Sequence, residues 1–203
     1  GDPSQPGTTQ FDYDEFGRLL KVTSPARVVT IYTHDEGGRI ATESTGSGVK
    51  RRLYDKMGRL VFASDGDQGF WRGKFDAFGE LYEERLATGA IVKRCFDVGG
   101  NPLRERVVDT DGKLLSDTER EWTAFGAEKK VTEHLTSGGA SPQKRVTESA
   151  YDTDGRLRTV TTGDGAALRR ADLTLAYDSA NRIVLRTDAA GNKSETVFGT
   201  PSA

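Results

Sequence analysis

Short apolar–polar alternations of period two recur along the chain, and each is stopped by a polar cluster that carries glycine. Residues 8–13 alternate with Phe11 and Tyr13 on one side and Gln10 and Asp12 on the other, the period of a β-strand. Asp14-Glu15-Phe16-Gly17 then reads as a turn: aspartate bonds backbone amides ahead of it, and glycine takes the positive φ that closes a short hairpin loop. Residues 18–23 form the returning strand. Ser24-Pro25-Ala26 reverses the chain again, because a proline nitrogen donates nothing to a ladder. One repeat is thus expected to be one hairpin. Residues 28–34, 50–54, 70–75 and 91–96 repeat the ascending strand, and polar, glycine-rich links such as Ser44-Thr45-Gly46-Ser47-Gly48 connect hairpins at the far side. No heptad or strong 3.6-residue apolar stripe appears, so little helix is expected.

Set in register, the hairpins share one motif. The aromatic slot holds Tyr13, His34, Tyr54, Phe75, Phe96, Trp122, Tyr151 and Tyr177. The next slot holds Asp14, Asp35, Asp55, Asp76, Asp97, Thr123, Asp152 and Asp178. Three places further on stand Gly17, Gly38, Gly58, Gly79, Gly100, Gly126, Gly155 and, in the last copy, Asn181, which also tolerates a left-handed backbone. Arg18, Arg39, Arg59, Arg156 and Arg182 follow the turn, Glu80 stands there in the fourth copy, and Asn101 and Ala127 belong to the degenerate fifth and sixth copies. Aromatic slots lie 21, 20, 21, 21, 26, 29 and 26 residues apart, and a ninth copy begins at Phe198-Gly199. The wider spacing predicts longer hairpins or looped-out tips, with long loops near residues 109–117 and 136–143. A fixed period of this length argues for an array of stacked units. The expected fold is all-β: antiparallel hairpins in a curved, spiralling sheet over residues 8–203, after a disordered leader or cloning scar at 1–7.

Composition sharpens this picture. Only 34% of the 203 residues are hydrophobic and 30% are charged, so a sheet with polar surface on both faces fits better than a thick dry core. The net charge of −2 provides no field for nucleic acid or an anionic membrane. Neither is an expected partner. One cysteine, Cys95, excludes an internal disulfide and a thiolate zinc cluster; it is assigned a packing or surface role. No apolar run of membrane-spanning length occurs.

Tyr13-Asp14-Glu15-Phe16-Gly17-Arg18-Leu19, Tyr54-Asp55-Lys56-Met57-Gly58-Arg59-Leu60 and Tyr151-Asp152-Thr153-Asp154-Gly155-Arg156-Leu157 resemble the motif of YD-repeat, or Rhs, proteins at every defined place. The resemblance implies a spiralling antiparallel sheet that winds, in full-length relatives, into a hollow shell. Bacterial polymorphic toxins and insecticidal toxin complexes enclose a C-terminal toxic domain in that shell, and in animal teneurins a similar barrel belongs to an adhesion receptor. By that resemblance the chain is a structural segment of a larger secreted or cell-surface bacterial protein, contributing to a wall around a toxin or effector cargo. The partners implied are neighbouring repeats and the cargo domain of the same polypeptide. The alternative is an adhesion scaffold that binds a protein or glycan through its outer face or long loops. The terminal core region and aspartyl cleavage motif of large members are not present, so no self-cleavage is assigned. Eight copies suggest an open sheet whose two edges invite pairing between chains.

Candidate chemistry reduces to structure. The recurrent Tyr13, Tyr54 and Tyr151 are expected to pack between hairpins rather than to stack sugars. Asp14, Asp55, Asp152, with Gly17, Gly58, Gly155, form turns, because a residue repeated in nearly every copy is not a single active site. Arg18, Arg59 and Arg156 either pair with carboxylates along the sheet or line a wet interior. His34-Asp35 imitates a base with its orienting carboxylate, but both fill motif slots, and His134 has no marked nucleophile near it. Asp109-Thr110-Asp111-Gly112 and Asp152-Thr153-Asp154-Gly155 lack the terminal glutamate of a calcium loop. No enzyme activity, metal or cofactor is expected.

Overall fold

The computed structural model describes residues 7–66, 68–135, 143–164 and 168–198, with the side chains of 168–170 excepted. Among the described residues the seventeen strands form antiparallel β-sheet, and no helix occurs. The expected leader at 1–7 (apart from Gly7), the loop at 136–142 and Gly199 lie outside the described residues. The chain forms two compact units, Gly1–Val92 and Lys93–Ala203.

The first unit carries β1 (Gln10–Tyr13), β2 (Leu19–Thr23), β3 (Val29–His34), β4 (Ile40–Thr45), β5 (Gly48–Tyr54), β6 (Leu60–Asp65), β7 (Gly69–Phe75) and β8 (Leu81–Arg85). Each strand pairs with the next in the chain, as hairpins dictate. At every motif turn the register slips by one residue, for example between Asp12 and Tyr13, Thr33 and His34, and Leu53 and Tyr54. The slip is a bulge with a physical cause. Gly17 N donates to Asp14 O at 3.0 Å and Asp14 N donates to Arg18 O at 2.9 Å, so a tight turn is followed by one residue in the left-handed region. Gly17 takes φ 76° there.

The second unit holds most of β9 (Ile91–Phe96), then β10 (Pro102–Val108), β11 (Leu114–Trp122), β12 (Glu128–Leu135), β13 (Gln143–Tyr151), β14 (Leu157–Gly163), β15 (Leu168–Tyr177), β16 (Ile183–Asp188) and β17 (Lys193–Glu195). Its wider repeat spacing is absorbed by longer strands: β11 and β13 have nine residues and β15 has ten. Residues 109–117 are accordingly not a long loop. Asp109 N donates to Lys113 O and Gly112 N to Asp109 O, which closes a tight turn, and Leu114 already begins β11.

Both units are thin. Among the described residues the buried apolar side chains are Ala90, Val92, Val146 and Leu175, and no large side chain is fully enclosed. A single sheet with water near both faces has little apolar area to remove from solvent, so ladder hydrogen bonds and cross-strand pairs supply most of its order. Opposed residues are matched accordingly: the Thr33 and Thr42 hydroxyls share a hydrogen bond at 2.6 Å, Lys74 meets Glu83 at 2.7 Å, and Arg94 meets Glu105 at 2.7 Å.

Candidate functional site

In several copies the repeated motif builds a rung that ties one hairpin to the next. In the second copy the Asp35 carboxylate accepts the Arg39 amide at 2.9 Å and Arg39 Nε at 2.8 Å. In the third, Asp55 Oδ1 accepts the amides of Met57 and Arg59, both at 2.9 Å, while Oδ2 accepts Arg59 Nε at 2.7 Å. Asp14, Asp152 and Asp178 repeat the arrangement on Arg18, Arg156 and Arg182. One carboxylate thus satisfies turn amides and aims the arginine.

The aimed guanidinium then crosses to the following copy. Arg39 lies 4.6 Å from the Tyr54 ring centre, Arg59 4.6 Å from Phe75, Arg156 4.9 Å from Tyr177, and Arg182 4.0 Å from Phe198. These are cation–π distances. The ring is fixed at its other end too. Tyr54 hydroxyl donates to the Ile40 carbonyl at 3.4 Å, Tyr151 to that of Glu128 at 2.7 Å and Tyr177 to that of Leu157 at 2.8 Å; Trp122 Nε1 donates to Pro102 at 2.9 Å. Each acceptor is the residue after the arginine slot in the preceding copy. An aromatic with a polar tip suits a slot that is apolar on its faces and open to a carbonyl at its end.

The aspartates are held as anions. Hydrogen bonds from the backbone amide of the arginine and then from its guanidinium hold the pKa of Asp35, Asp55 and Asp178 below the usual carboxylate range, against partial desolvation. For Asp14 and Asp152 desolvation is the largest single effect and pushes upward, but the arginine amide and guanidinium together outweigh it. At Asp97 and Asp188 the asparagine side chain of Asn101 or Asn192 leads, followed by its amide.

Departures from the motif show which part does what. Asp76 still accepts the amides of Phe78 and Glu80, so that turn closes without an arginine. Asn101 Nδ2 takes the place of the guanidinium on Asp97 at 3.0 Å, and Thr123 Oγ1 replaces the carboxylate for the Ala127 amide. Where Ala127 removes the arginine, Phe125 from the turn meets Tyr151 edge-on at 5.4 Å and fills the space beside Gly155. Arg18, whose next copy offers His34, lies over its own Phe16 at 5.1 Å.

Sequence reading assigned Tyr13, Tyr54 and Tyr151, Asp14, Asp55 and Asp152, Gly17, Gly58 and Gly155, and Arg18, Arg59 and Arg156 to turns. In the structure aspartate, glycine and arginine of one copy meet at one turn, while the arginine reaches the aromatic of the next copy. Gly58 and Gly155 have φ 85° and 79°. One turn of the same build escaped notice because no aromatic precedes it. Asp188-Ala189-Ala190-Gly191-Asn192 is legible from its Asp-x-x-Gly spacing. The turn read at Ser24-Pro25-Ala26 has this build as well, with Arg27 left-handed at φ 61° without being glycine and Ser24 Oγ accepting the Val28 amide.

Outside the rungs, Asp117 is 5% exposed and grips Arg104 through Nε at 2.7 Å and Nη2 at 2.6 Å, with Arg106 at 3.4 Å. His134 Nε2 stands 3.6 Å from Glu119 without a hydrogen bond, and Cys95 is exposed. No group of three or more His, Cys, Asp or Glu side chains among the described residues could hold a metal ion. No described helix is long and apolar enough to cross a membrane.

Fold and rungs together define a hairpin-repeat sheet. Residues 13–50 and 151–193 match the family described as RHS Repeat, so in those stretches the chain is similar to Rhs/YD-repeat proteins. It is 26% identical over 208 residues to double-stranded DNA deaminase toxin A of Burkholderia cenocepacia (strain H111), a match covering 86% of this chain and 14% of that protein. Its fold is similar to that in the crystal structure of TcdB2-TccC3-Cdc42, with a TM-score of 0.54, 15% identity, and coverage of 90% of this chain and 11% of that one. The crystal structure of TcdB2-TccC3-TEV gives 0.52, 14%, 90% and 11%. The chain therefore spans a small fraction of the length of these relatives.

Proposed function

We propose that this chain is a structural, non-catalytic wall segment: a run of hairpins that, in its complete polypeptide, contributes to a β-shell enclosing a C-terminal toxin or effector. The observation that carries this reading is the rung itself. The full set of arginine, ring and carbonyl joins the second copy to the third and the seventh to the eighth, and parts of it recur in other copies, so the unit propagates a sheet instead of assembling one unrepeated set of reacting groups. Similarity to a deaminase toxin supports the toxin association, and the secreted or cell-surface location goes with it. The partners under this reading are adjoining repeats and the cargo of the same polypeptide, with the sheet edges open to pairing with another chain.

The test is limited proteolysis of the complete natural polypeptide that carries these repeats. Containment predicts that an unrelated C-terminal piece resists protease while the sheet is folded and is digested once the sheet is denatured. A C-terminal piece digested as fast in place as when expressed alone would rule containment out. The adhesion alternative has less to rest on, since residues 109–117 present a tight turn instead of a long loop.

A further inference from the structure

One face of the first unit breaks the charge matching seen elsewhere. On the other face of β4 to β6, cations meet carboxylates: Arg52 lies 3.6 Å from Glu43 and Lys50 3.3 Å from Asp65. Across β5 to β8 two registers run side by side on the opposite face: Arg51, Ser64, Phe70 in one and Leu53, Phe62, Arg72, Arg85 in the next. Arg72 and Arg85 stand directly opposite each other, a like-charge pair that disfavours the fold. Arg51 and Arg72 have no hydrogen bond or ion pair among the described residues, and Arg85 has only its approach to the Phe70 ring at 5.5 Å. The carboxylate nearest by register, Glu83, is engaged by Lys74. Leu53 and Phe70 between the arginines are 58% and 40% exposed, and a depression of about 150 Å³ opens between Arg72, Lys74, Glu83, Arg85 and Ile91.

We propose that this face binds an extended polypeptide segment that alternates carboxylate and apolar side chains. Arginines without an ion pair among the described residues, beside exposed aromatic and aliphatic groups, are the composition of an interface centre, and the opposed Arg72–Arg85 pair supplies donors for a carboxylate that no described residue provides. Geometry sets the spacing. Arg51 lies two strands and one register step from Arg72, roughly 12 Å away from strand spacing and rise. An extended chain covers that span in about four residues, so acids at i and i+4 reach the two arginines while an apolar side chain at i+2 meets Phe62 and Phe70. A single-stranded nucleic acid fits less well. Phe62 and Phe70 stack on each other at 6.0 Å and Arg85 lies over Phe70, which takes up ring faces on which a base would stack. This site stands whether or not the sheet closes into a shell.

The experiment is fluorescence anisotropy of a labelled peptide, repeats of Glu-Ser-Leu-Ser, titrated with the 203-residue chain. Saturable binding is expected. R72E, which sets a carboxylate opposite Arg85, is expected to weaken it by about tenfold or more, the loss of one charge-assisted contact. Its urea midpoint is expected to stay level or rise, because a like-charge pair becomes a matched one. Should R72E fail to fold, R51S, which removes an arginine with no hydrogen bond or ion pair among the described residues, carries the same test. Equal binding by the folded variant, no binding by the parent chain, or tighter binding of an oligothymidylate than of the peptide each overturns the proposal.

Discussion

Glycine at the left-handed turn position does two jobs, and a pair of alanine substitutions separates them. Gly17 has φ 76° and a Cβ built on it meets nothing within 4 Å. Gly58 has φ 85°, and there the same atom falls 2.9 Å from Arg39 Nη1. Alanine at either place incurs the left-handed penalty of about 1–2 kcal/mol, partly offset by roughly 0.4–1 kcal/mol from a less free unfolded chain. Gly17→Ala is therefore expected to destabilise by about 1 kcal/mol. At Gly58 the new methyl must also push the Arg39 guanidinium away from Tyr54, which adds the value of an exposed cation–π contact, about 0.5–1 kcal/mol. The assay is urea denaturation followed by tryptophan fluorescence in a Trp122→Phe background, so that Trp71 reports on the first unit alone. If the excess comes from the rung, it vanishes when both glycine variants are made on Arg39→Ala, because the displaced group is already gone. Equal losses at Gly17 and Gly58, or an excess that survives without Arg39, would refute the reasoning.

Two further outcomes follow from the rung. Tyr177→Phe keeps the ring under Arg156 but deletes the hydrogen bond to Leu157 O, and should lower stability by about 0.5–1.5 kcal/mol; Phe75→Tyr, offering a hydroxyl to the equivalent Leu60 carbonyl, should shift the urea midpoint the other way. Because Asp35, Asp55 and Asp178 are more acidic folded than unfolded, their stabilisation is fully present above the unfolded value of 3.8 and is lost as the pH falls through the folded values. Urea midpoints should hence be flat from neutrality to about pH 5 and fall below about pH 4, less steeply in Asp55→Asn; a midpoint indifferent to pH down to 3 would show that the turn carboxylates contribute nothing.

The turns were written in the sequence because their requirements are local. Aspartate reaches amides two and four residues ahead, glycine tolerates positive φ, and neither needs a distant partner, so Asp14, Gly17, Asp55 and Gly58 announced their geometry through spacing alone. Strand alternation was legible for the same reason. The destination of Arg39, Arg59 and Arg156 was not. Their own aspartates lie four residues back, but the rings they cover lie 15 to 21 residues on, and only the pairing register of successive hairpins brings those rings under the guanidinium. Register also decided that the widened repeats lengthen β11, β13 and β15, since added residues near Asp109 fit the ladder as readily as a loop until the opposing strand is known. The repeat and its turns thus belong to the sequence, whereas the rung, the unmatched Arg72–Arg85 pair and the face they share exist only once neighbouring strands are aligned.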